Sequence, residues 1–98
     1  MQLFRIYDRL GDEFLADRQY TEARQAFDQG LRESTQSSAQ LYQASFHLRL
    51  GLVCDLLQDR PAAVSHYEQV LNYPIAHFQE QARKYLKDPY RGPTQPGS

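Results

Sequence analysis

An internal repeat constrains this chain more than any other feature of its sequence. When the sequence is shifted by 40 positions, Leu10-Gly11 falls on Leu50-Gly51 and Ala23 falls on Ala63. No gap is needed from residue 6 to residue 31. The further matches are Arg9 with Arg49, Phe27 with Tyr67, Asp28 with Glu68, Gln29 with Gln69 and Leu31 with Leu71. Two amphipathic helices can look alike by chance, but the shared Leu-Gly, with an alanine at the same distance after it, favours a duplicated packing unit.

The apolar spacing of the first unit predicts two helices. The first helix carries a packing face at helical spacing, formed by Leu3, Ile6, Tyr7, Leu10 and Phe14. A polar break at residues 17–19 separates it from a second helix, whose small and apolar stripe is Ala23, Ala26, Phe27, Gly30 and Leu31. Residues 34–38 have the composition of a linker, and one of its serines is expected to cap the next helix.

The second unit predicts a third helix from about Ser38 to Leu57 that is apolar on more than one side. A second apolar line, formed by Leu48, Leu52 and Leu56, runs beside the main apolar stripe of this helix. Either neighbouring helices of this chain bury this second line, or it faces a ligand. Pro61 fits the first turn of a fourth helix. A fifth helix is predicted over about residues 75–87, followed by a disordered Pro/Gly-rich tail at 89–98.

These residues resemble the tetratricopeptide (TPR) repeat family. The first unit offers Tyr7, Leu10, Gly11, Phe14, Ala23, Phe27 and Gly30, and the second offers His47, Leu50, Gly51, Cys54, Ala63, Tyr67, Val70 and Pro74. The start of a third unit is suggested by Phe78, Ala82 and Tyr85. Gly11 and Gly51, with Ala23 and Ala63, are small where two helices of one hairpin must approach closely.

The resemblance implies an all-α fold of five helices, in which antiparallel helix hairpins stack as a short right-handed superhelix. It covers a domain at 1–88, with repeat one at about 3–33, repeat two at about 38–73 and a capping helix at about 75–87. The spacing of 40 exceeds the family's ~34. HEAT-like repeats have a longer period and are the alternative fold, although they lack the Leu-Gly and Ala-aromatic pattern.

Charge and composition argue against several classes of function. The net charge of -1 and the pI of about 6.3 do not favour a nucleic-acid partner or an anionic membrane surface. The longest central apolar stretch, residues 50–54, is too short to span a bilayer, and the N-terminus lacks the pattern of a secretory signal. The single cysteine, Cys54, fits a reducing compartment, so a cytoplasmic location is expected.

The sequence predicts no cofactor, no metal site and no enzyme activity. The three histidines do not occur at a metal-ligand spacing. His47 is expected to be a packing residue, whereas His66 and His77 are expected at the surface. Cys54 lies on an apolar face and is predicted to act as a small hydrophobe. An enzyme that uses Cys54 with a histidine is the competing hypothesis.

The resemblance implies a scaffold or adaptor that holds a peptide or helix of a partner protein in a concave groove lined by the first helix of each hairpin. The candidate groove residues are Arg5, Asp8, Arg9, Asp12, Leu15, Ser45, Leu48, Arg49, Leu52, Asp55, Gln79 and Arg83. The guanidinium groups of three of these residues, Arg9, Arg49 and Arg83, could bind carboxylates or backbone carbonyls of a peptide. The alternative is that they form a solvated charged face. The positions where some family members clamp a C-terminal carboxylate with lysine and asparagine hold Asp8, Asp12, Leu48 and Leu52, which disfavours that mode.

Self-association is the alternative function. Two repeats are fewer than the ~3 that usually bury a continuous core. Open ends of the stack are expected to expose Tyr42, Phe78, Tyr85 or their neighbours, and a homodimer could cover them.

Overall fold

A computed structural model of the chain describes residues 3–92, which contain five α-helices and no strand. The helices are α1 (Phe4–Ala16), α2 (Tyr20–Gln36), α3 (Gln40–Leu56), α4 (Arg60–Val70) and α5 (Ala76–Lys87). Each helix packs against the next in sequence, and α3 also contacts α1 and α5. The predicted all-α architecture with five helices is confirmed.

The first three helices end in the same three-residue turn. Its middle residue has a left-handed backbone, with φ of 61° at Arg18, 56° at Ser38 and 63° at Gln58. After α1, the amide of Gln19 donates to the carbonyl of Phe14 at 2.8 Å. Equivalent bonds close the turns after α2 and α3, which is the hydrogen-bond pattern of a Schellman motif. Because each turn is so short, consecutive helices run antiparallel.

In both hairpins the two helices pack closely because an aromatic ring lies against a glycine. A Cβ atom at Gly11 would overlap the ring of Phe27, and one at Gly51 would overlap the ring of Tyr67 in the same way. Phe27 and Tyr67 are fully buried as a result. The close approach predicted from the repeated glycines is therefore present in both hairpins.

The central helix α3 contributes to two apolar cores. Phe46, Leu50 and Val53 join Phe4 of α1 and the α2 side chains in one core. The opposite side of α3 enters a second core with α4 and α5, formed by Leu48, Cys54, Ala63, Tyr67, Val70 and Ala82. The prediction that α3 is buried on more than one side is confirmed, because helices of the same chain cover it on both sides.

The packing face predicted for α1 is wrong for Leu3, Ile6 and Leu10, whereas half-buried Phe14 does pack against the core. Phe4 is 1% exposed and provides the contact with the core, whereas Leu3, Ile6 and Leu10 are 46%, 50% and 37% exposed. α1 is the first helix of the stack and packs on α2 and α3 through Phe4, Gly11 and Leu15. Leu3, Ile6 and Leu10 therefore form the exposed part of its apolar stripe.

Two other local predictions also differ from the structure. The expected linker at 34–38 is mostly helical, because α2 continues to Gln36 and buries Ser34, whose hydroxyl donates to the carbonyl of Leu31. No serine caps α3, since its N-cap is Ala39 and makes no side-chain cap hydrogen bond. Pro61 does lie in the first turn of α4, where Asp59 supplies the side-chain cap.

Candidate functional site

An ion-pair network joins the two helices that were predicted to line the groove. The Arg49 guanidinium on α3 pairs with the Asp8 carboxylate on α1 and lies 3.4 Å from a carboxylate oxygen of Asp12. The guanidinium carbon of Arg49 also sits 5.6 Å from the centre of the Phe27 ring. Arg49 therefore contacts two other predicted groove residues, Asp8 and Asp12, within the chain.

Two of the predicted groove residues are buried by the chain itself. Leu48 is 5% exposed and packs in the core shared with α4 and α5. Asp55 is 6% exposed and makes only internal contacts. The prediction that Leu48 lines an open groove is wrong, because α4 and α5 cover this side chain. Asp55, although buried, lines an open cleft on the side of Tyr90 and Arg91. Leu52 is half-buried against the same core.

Asp55 is the centre of a polar cluster that we call the Asp55 hub. Its carboxylate accepts the hydroxyl of Tyr67 at 2.8 Å, the backbone amide of Tyr90 at 3.0 Å and the guanidinium of Arg60 at 3.1 Å. Arg60 also donates to the carbonyls of Tyr85 and Leu86 at the end of α5. Burial and the hydrogen bond to Asp55 raise the pKa of Tyr67, so the phenol stays protonated and donates.

The chain after α5 contacts the Asp55 hub through Tyr90. Besides the bond to Asp55, the Tyr90 ring packs edge-on against Tyr85 with ring centres 5.2 Å apart. The Asp55 hub thus provides a buried acceptor for the backbone within the segment that was assigned to the tail. The rest of the predicted tail, 93–98, lies outside the described residues.

An open cleft lies between the C-terminal ends of α1 and α3 and the side chain at position 90; we call it the Leu56 cleft. Its volume is about 410 Å³, and it is lined by Asp12, Leu15, Ala16, Arg18, Tyr20, Leu56 and Tyr90. Four of the lining side chains are large and apolar or aromatic, and two carry opposite charges. Asp12 and Leu15 were predicted as groove residues. Burial raises the pKa of Asp12 above its ordinary value.

A second open cleft, of about 430 Å³, adjoins the first on the other side of Leu56 and Tyr90. It is lined by Asp55, Leu56, Gln58, Arg60, Pro89, Tyr90 and Arg91. Its lining is mainly polar, and its two central charges already pair with each other. The Leu56 cleft is the better candidate for recognition, since apolar side chains beside a few charged groups are typical of binding sites.

The sequence pointed to only part of the Leu56 cleft. Tyr20, Leu56 and Tyr90 were not among the predicted site residues. Tyr20 begins α2, and Tyr90 follows α5 in the part expected to be disordered. Leu56 continues the line through Leu48 and Leu52, and this spacing was the one signal that could have identified it.

The remaining predicted groove residues do not join the Leu56 cleft. Arg5 lies with its guanidinium carbon 6.0 Å from the centre of the Tyr42 ring, and exposed Arg9 pairs with Glu13 at 3.5 Å. Gln79 donates to the carbonyls of Leu71 and Tyr73, so it fastens the turn between α4 and α5. Two other predicted residues are half-buried or exposed without entering the cleft lining, namely Ser45 and Arg83.

Two histidines face each other across the second hairpin. The Nδ1 atoms of His47 on α3 and His66 on α4 are 3.1 Å apart, and both side chains are half-buried. Burial, and to a lesser degree the charge of His66, lowers the pKa of His47 to about 4; burial also lowers the pKa of His66. The prediction that His66 lies at the surface is therefore wrong, whereas His77 is exposed.

Cys54 packs as a small hydrophobic residue, as its position on the apolar face of α3 predicted. Its side chain is fully buried in the core with α4 and α5. Burial raises the pKa of the thiol to about 11, so it remains uncharged at neutral pH. Among residues 3–92 there is no group of three or more His, Cys, Asp or Glu side chains arranged to hold a metal ion.

No helix within residues 3–92 combines the length and the apolar character needed to cross a membrane. Comparisons of the chain with protein-family models, with curated proteins and with solved structures gave no match.

Proposed function

We propose that this chain is a protein-interaction module, a scaffold or adaptor of the TPR type, that binds a segment of a partner protein in the Leu56 cleft. The repeated fit of an aromatic ring onto a glycine in both hairpins supports the assignment to this class. We further propose that it acts without a cofactor and in the cytoplasm, which suits its single buried thiol.

The observation that carries the proposed site is the composition of the Leu56 cleft. Leu15, Tyr20 and Leu56 offer apolar surface, while Asp12 and Arg18 place opposite charges beside it. Burying an apolar side chain there would contribute roughly 25 cal/mol for each Å² removed from water. We therefore expect the partner to insert an apolar or aromatic side chain that is flanked by charged residues.

Selection of peptides from a random displayed library against the folded full chain tests this proposal. Peptides that bind should shift backbone amide resonances around Leu15 and Leu56 in a two-dimensional NMR spectrum. The variant Leu15→Glu should weaken their binding at least about tenfold, because the new carboxylate would lose hydration under the peptide. Leu41→Glu is the matched control, since Leu41 is 58% exposed and lies outside the cleft.

Two results would overturn the site. One is the absence of any enriched peptide, and the other is a set of peptides whose binding Leu15→Glu leaves unchanged. The variant's far-ultraviolet circular dichroism spectrum must match that of the wild type, so that lost binding is not confused with lost folding.

A further inference from the structure

The second hairpin brings two histidine rings together by their nitrogen edges. His47 of α3 and His66 of α4 are 19 residues apart in the sequence, yet their Nδ1 atoms are 3.1 Å apart. The ring centres are 5.3 Å apart, so the nitrogen edges, and not the ring faces, are in contact. The first hairpin has Tyr7 and Ala26 at the same positions, so the pair belongs to the second repeat unit alone.

Both rings are in the protonation state that binds metal ions. Burial lowers the pKa of both side chains, and that of His47 to about 4, so both imidazoles are neutral at pH 7. A neutral imidazole has one N–H and one lone pair, so in this contact one Nδ1 donates and the other accepts. When the donating ring carries its hydrogen on Nε2 instead, both Nδ1 lone pairs are free to coordinate one ion without the loss of a proton.

The separation of the two nitrogens matches two neighbouring ligands of one ion. Zn²⁺ binds histidine nitrogen at about 2.0–2.1 Å in tetrahedral sites, which places two such nitrogens about 3.3 Å apart. The square-planar geometry typical of Cu²⁺, with the same bond length, would place them about 2.9 Å apart. The observed 3.1 Å lies between these values. Coordination therefore requires only a small shift and a tilt of the two rings.

The surroundings of the pair admit water and favour a positive charge. Both side chains are half-buried, so part of each ring faces solvent. After burial, the strongest effect on the pKa of His66 comes from the negative charge of Asp28; Asp59 acts in the same direction, and Arg24 opposes them. Among residues 3–92 no third His, Cys, Asp or Glu joins the pair to form a larger group of metal ligands. Water must therefore supply the other ligands.

We propose that His47 and His66 bind one divalent transition-metal ion that favours imidazole, Zn²⁺ or Cu²⁺, through their Nδ1 atoms, with water in the remaining positions. The ion links α3 to α4 and so stabilises the second hairpin. Half the protein ligands of a structural zinc site should give a dissociation constant for Zn²⁺ of about 1 to 100 µM. The Leu56 cleft is lined by other residues, and peptide binding there does not require the ion.

Isothermal titration calorimetry of the untagged full chain with zinc chloride at pH 7 tests the site. The chain should bind one Zn²⁺, and His47→Gln and His66→Gln should each weaken binding at least about tenfold, since even an outer-shell partner contributes that much. His77→Gln is the matched control at an exposed histidine and should bind like the wild type. Cu²⁺ should bind more tightly than Zn²⁺, whereas Mg²⁺, which prefers oxygen ligands, should not bind.

Two further measurements distinguish coordination from a purely structural role of the histidines. In long-range proton–nitrogen NMR spectra, Zn²⁺ should shift the Nδ1 resonances of both rings and leave Nε2 as the protonated nitrogen. The thermal unfolding midpoint should rise with Zn²⁺ concentration in the wild type and in Leu15→Glu. It should not rise in the double variant His47→Tyr with His66→Ala, which has the residues of the first hairpin.

The absence of both binding heat and Nδ1 shifts at about 1 mM Zn²⁺ would overturn the proposal, because the expected dissociation constant is well below that concentration. It is also wrong if both glutamine variants bind Zn²⁺ as the wild type does, or if His77→Gln abolishes binding. Circular dichroism must show that the glutamine variants are folded. If one of them is not, the Nδ1 shifts of the wild type decide the outcome.

Discussion

The two hairpins seat an aromatic ring on a glycine in the same way, yet they surround that ring with opposite chemistry. In the first hairpin, Phe27 lies in an apolar core that Leu15 and Tyr20 join. At the positions 40 residues later, the second hairpin has Tyr67, Asp55 and Arg60, and the Asp55 carboxylate accepts hydrogen bonds from the other two. The three changes are coupled, because a buried hydroxyl or carboxylate needs partners.

This difference gives the second hairpin a function in the fold that the first does not have. The polar set reaches beyond its own hairpin and holds the end of α5 and the amide of Tyr90. Within residues 3–92 the apolar set makes no side-chain hydrogen bond to another element, and its polar contact is the Arg49 guanidinium over the Phe27 ring. Substitution of these three coupled side chains therefore changes how one repeat unit attaches to its neighbours. The packing of the two helices within that unit stays the same.

Removing the centre of the polar set should have the largest effect. Asp55→Ala leaves the Tyr67 hydroxyl and the Arg60 charge without their buried acceptor, so we expect a loss of about 3 to 5 kcal/mol in the free energy of unfolding. Urea denaturation at pH 7 measures it. The exposed Asp88→Ala is the control and should change stability by less than about 0.5 kcal/mol.

The double variant Asp55→Leu with Tyr67→Phe copies the pair found in the first hairpin. We expect it to be less destabilised than the sum of the two single variants, since the hydroxyl and carboxylate then disappear together. If Asp55→Ala costs no more than Asp88→Ala, the hub does not hold the second hairpin.

Lowering the pH should reduce the free energy of unfolding through the two facing histidines of the second hairpin. Because the folded-state pKa values of His47 and His66 lie below the unfolded value near 6.5, the unfolded chain binds more protons as the pH falls. Their contribution to stability is complete above pH 6.5 and is lost as the pH falls towards about 4 for His47. Between pH 7 and pH 5, His47 alone should account for a loss of about 2 kcal/mol.

Urea denaturation at the two pH values checks this prediction. The variant His47→Tyr with His66→Ala introduces the residues of the first hairpin, Tyr7 and Ala26, and should lose most of the pH dependence. His77→Gln, at an exposed position, should retain it. An unchanged pH dependence in the double variant would assign the effect to other groups.

Adding one methyl group to each glycine should distinguish the two hairpins. Alanine at Gly11 or Gly51 brings Cβ into an aromatic ring, which costs about 1 to 3 kcal/mol, partly offset by the better helix propensity of alanine. The cost should be greater at Gly51, because its ring belongs to Tyr67, whose hydroxyl is fixed by Asp55. The thermal unfolding midpoints of the two variants measure the difference.

Phe27→Leu provides the control for this pair, since a smaller side chain makes room for the new methyl group. The double variant Gly11→Ala with Phe27→Leu should lose less stability than the two single changes combined. A higher midpoint in either glycine variant would contradict the close ring contact.

The sequence was sufficient for the number of helices and for the glycine contacts, because both follow from local spacing. It was insufficient for α1, where apolar residues cover more than half of the helix and periodicity cannot distinguish the covered side from the free side. Phe4 is the buried residue there because it lies on the side of Gly11, facing α2 and α3.

The candidate site was harder to predict because its residues meet only in three dimensions. Asp55 had the spacing of a groove residue, but its burial depends on Arg60, Tyr67 and Tyr90, which come from other elements. Tyr90 follows a proline in a segment whose composition is typical of disorder, and a buried acceptor outweighs that local tendency. The ends of α1 and α3 form the Leu56 cleft only when that segment lies against them.

The contacts of Arg60 have a consequence for the slow motions of the chain. One side chain from α4 bonds to the carbonyls of Tyr85 and Leu86 and also pairs with the carboxylate that holds the amide of Tyr90. Unwinding of the last turn of α5 therefore releases the following segment at the same time. In native-state hydrogen exchange, the amides of this turn and of Tyr90 should open together as a single cooperative unit, with one opening free energy and one dependence on denaturant.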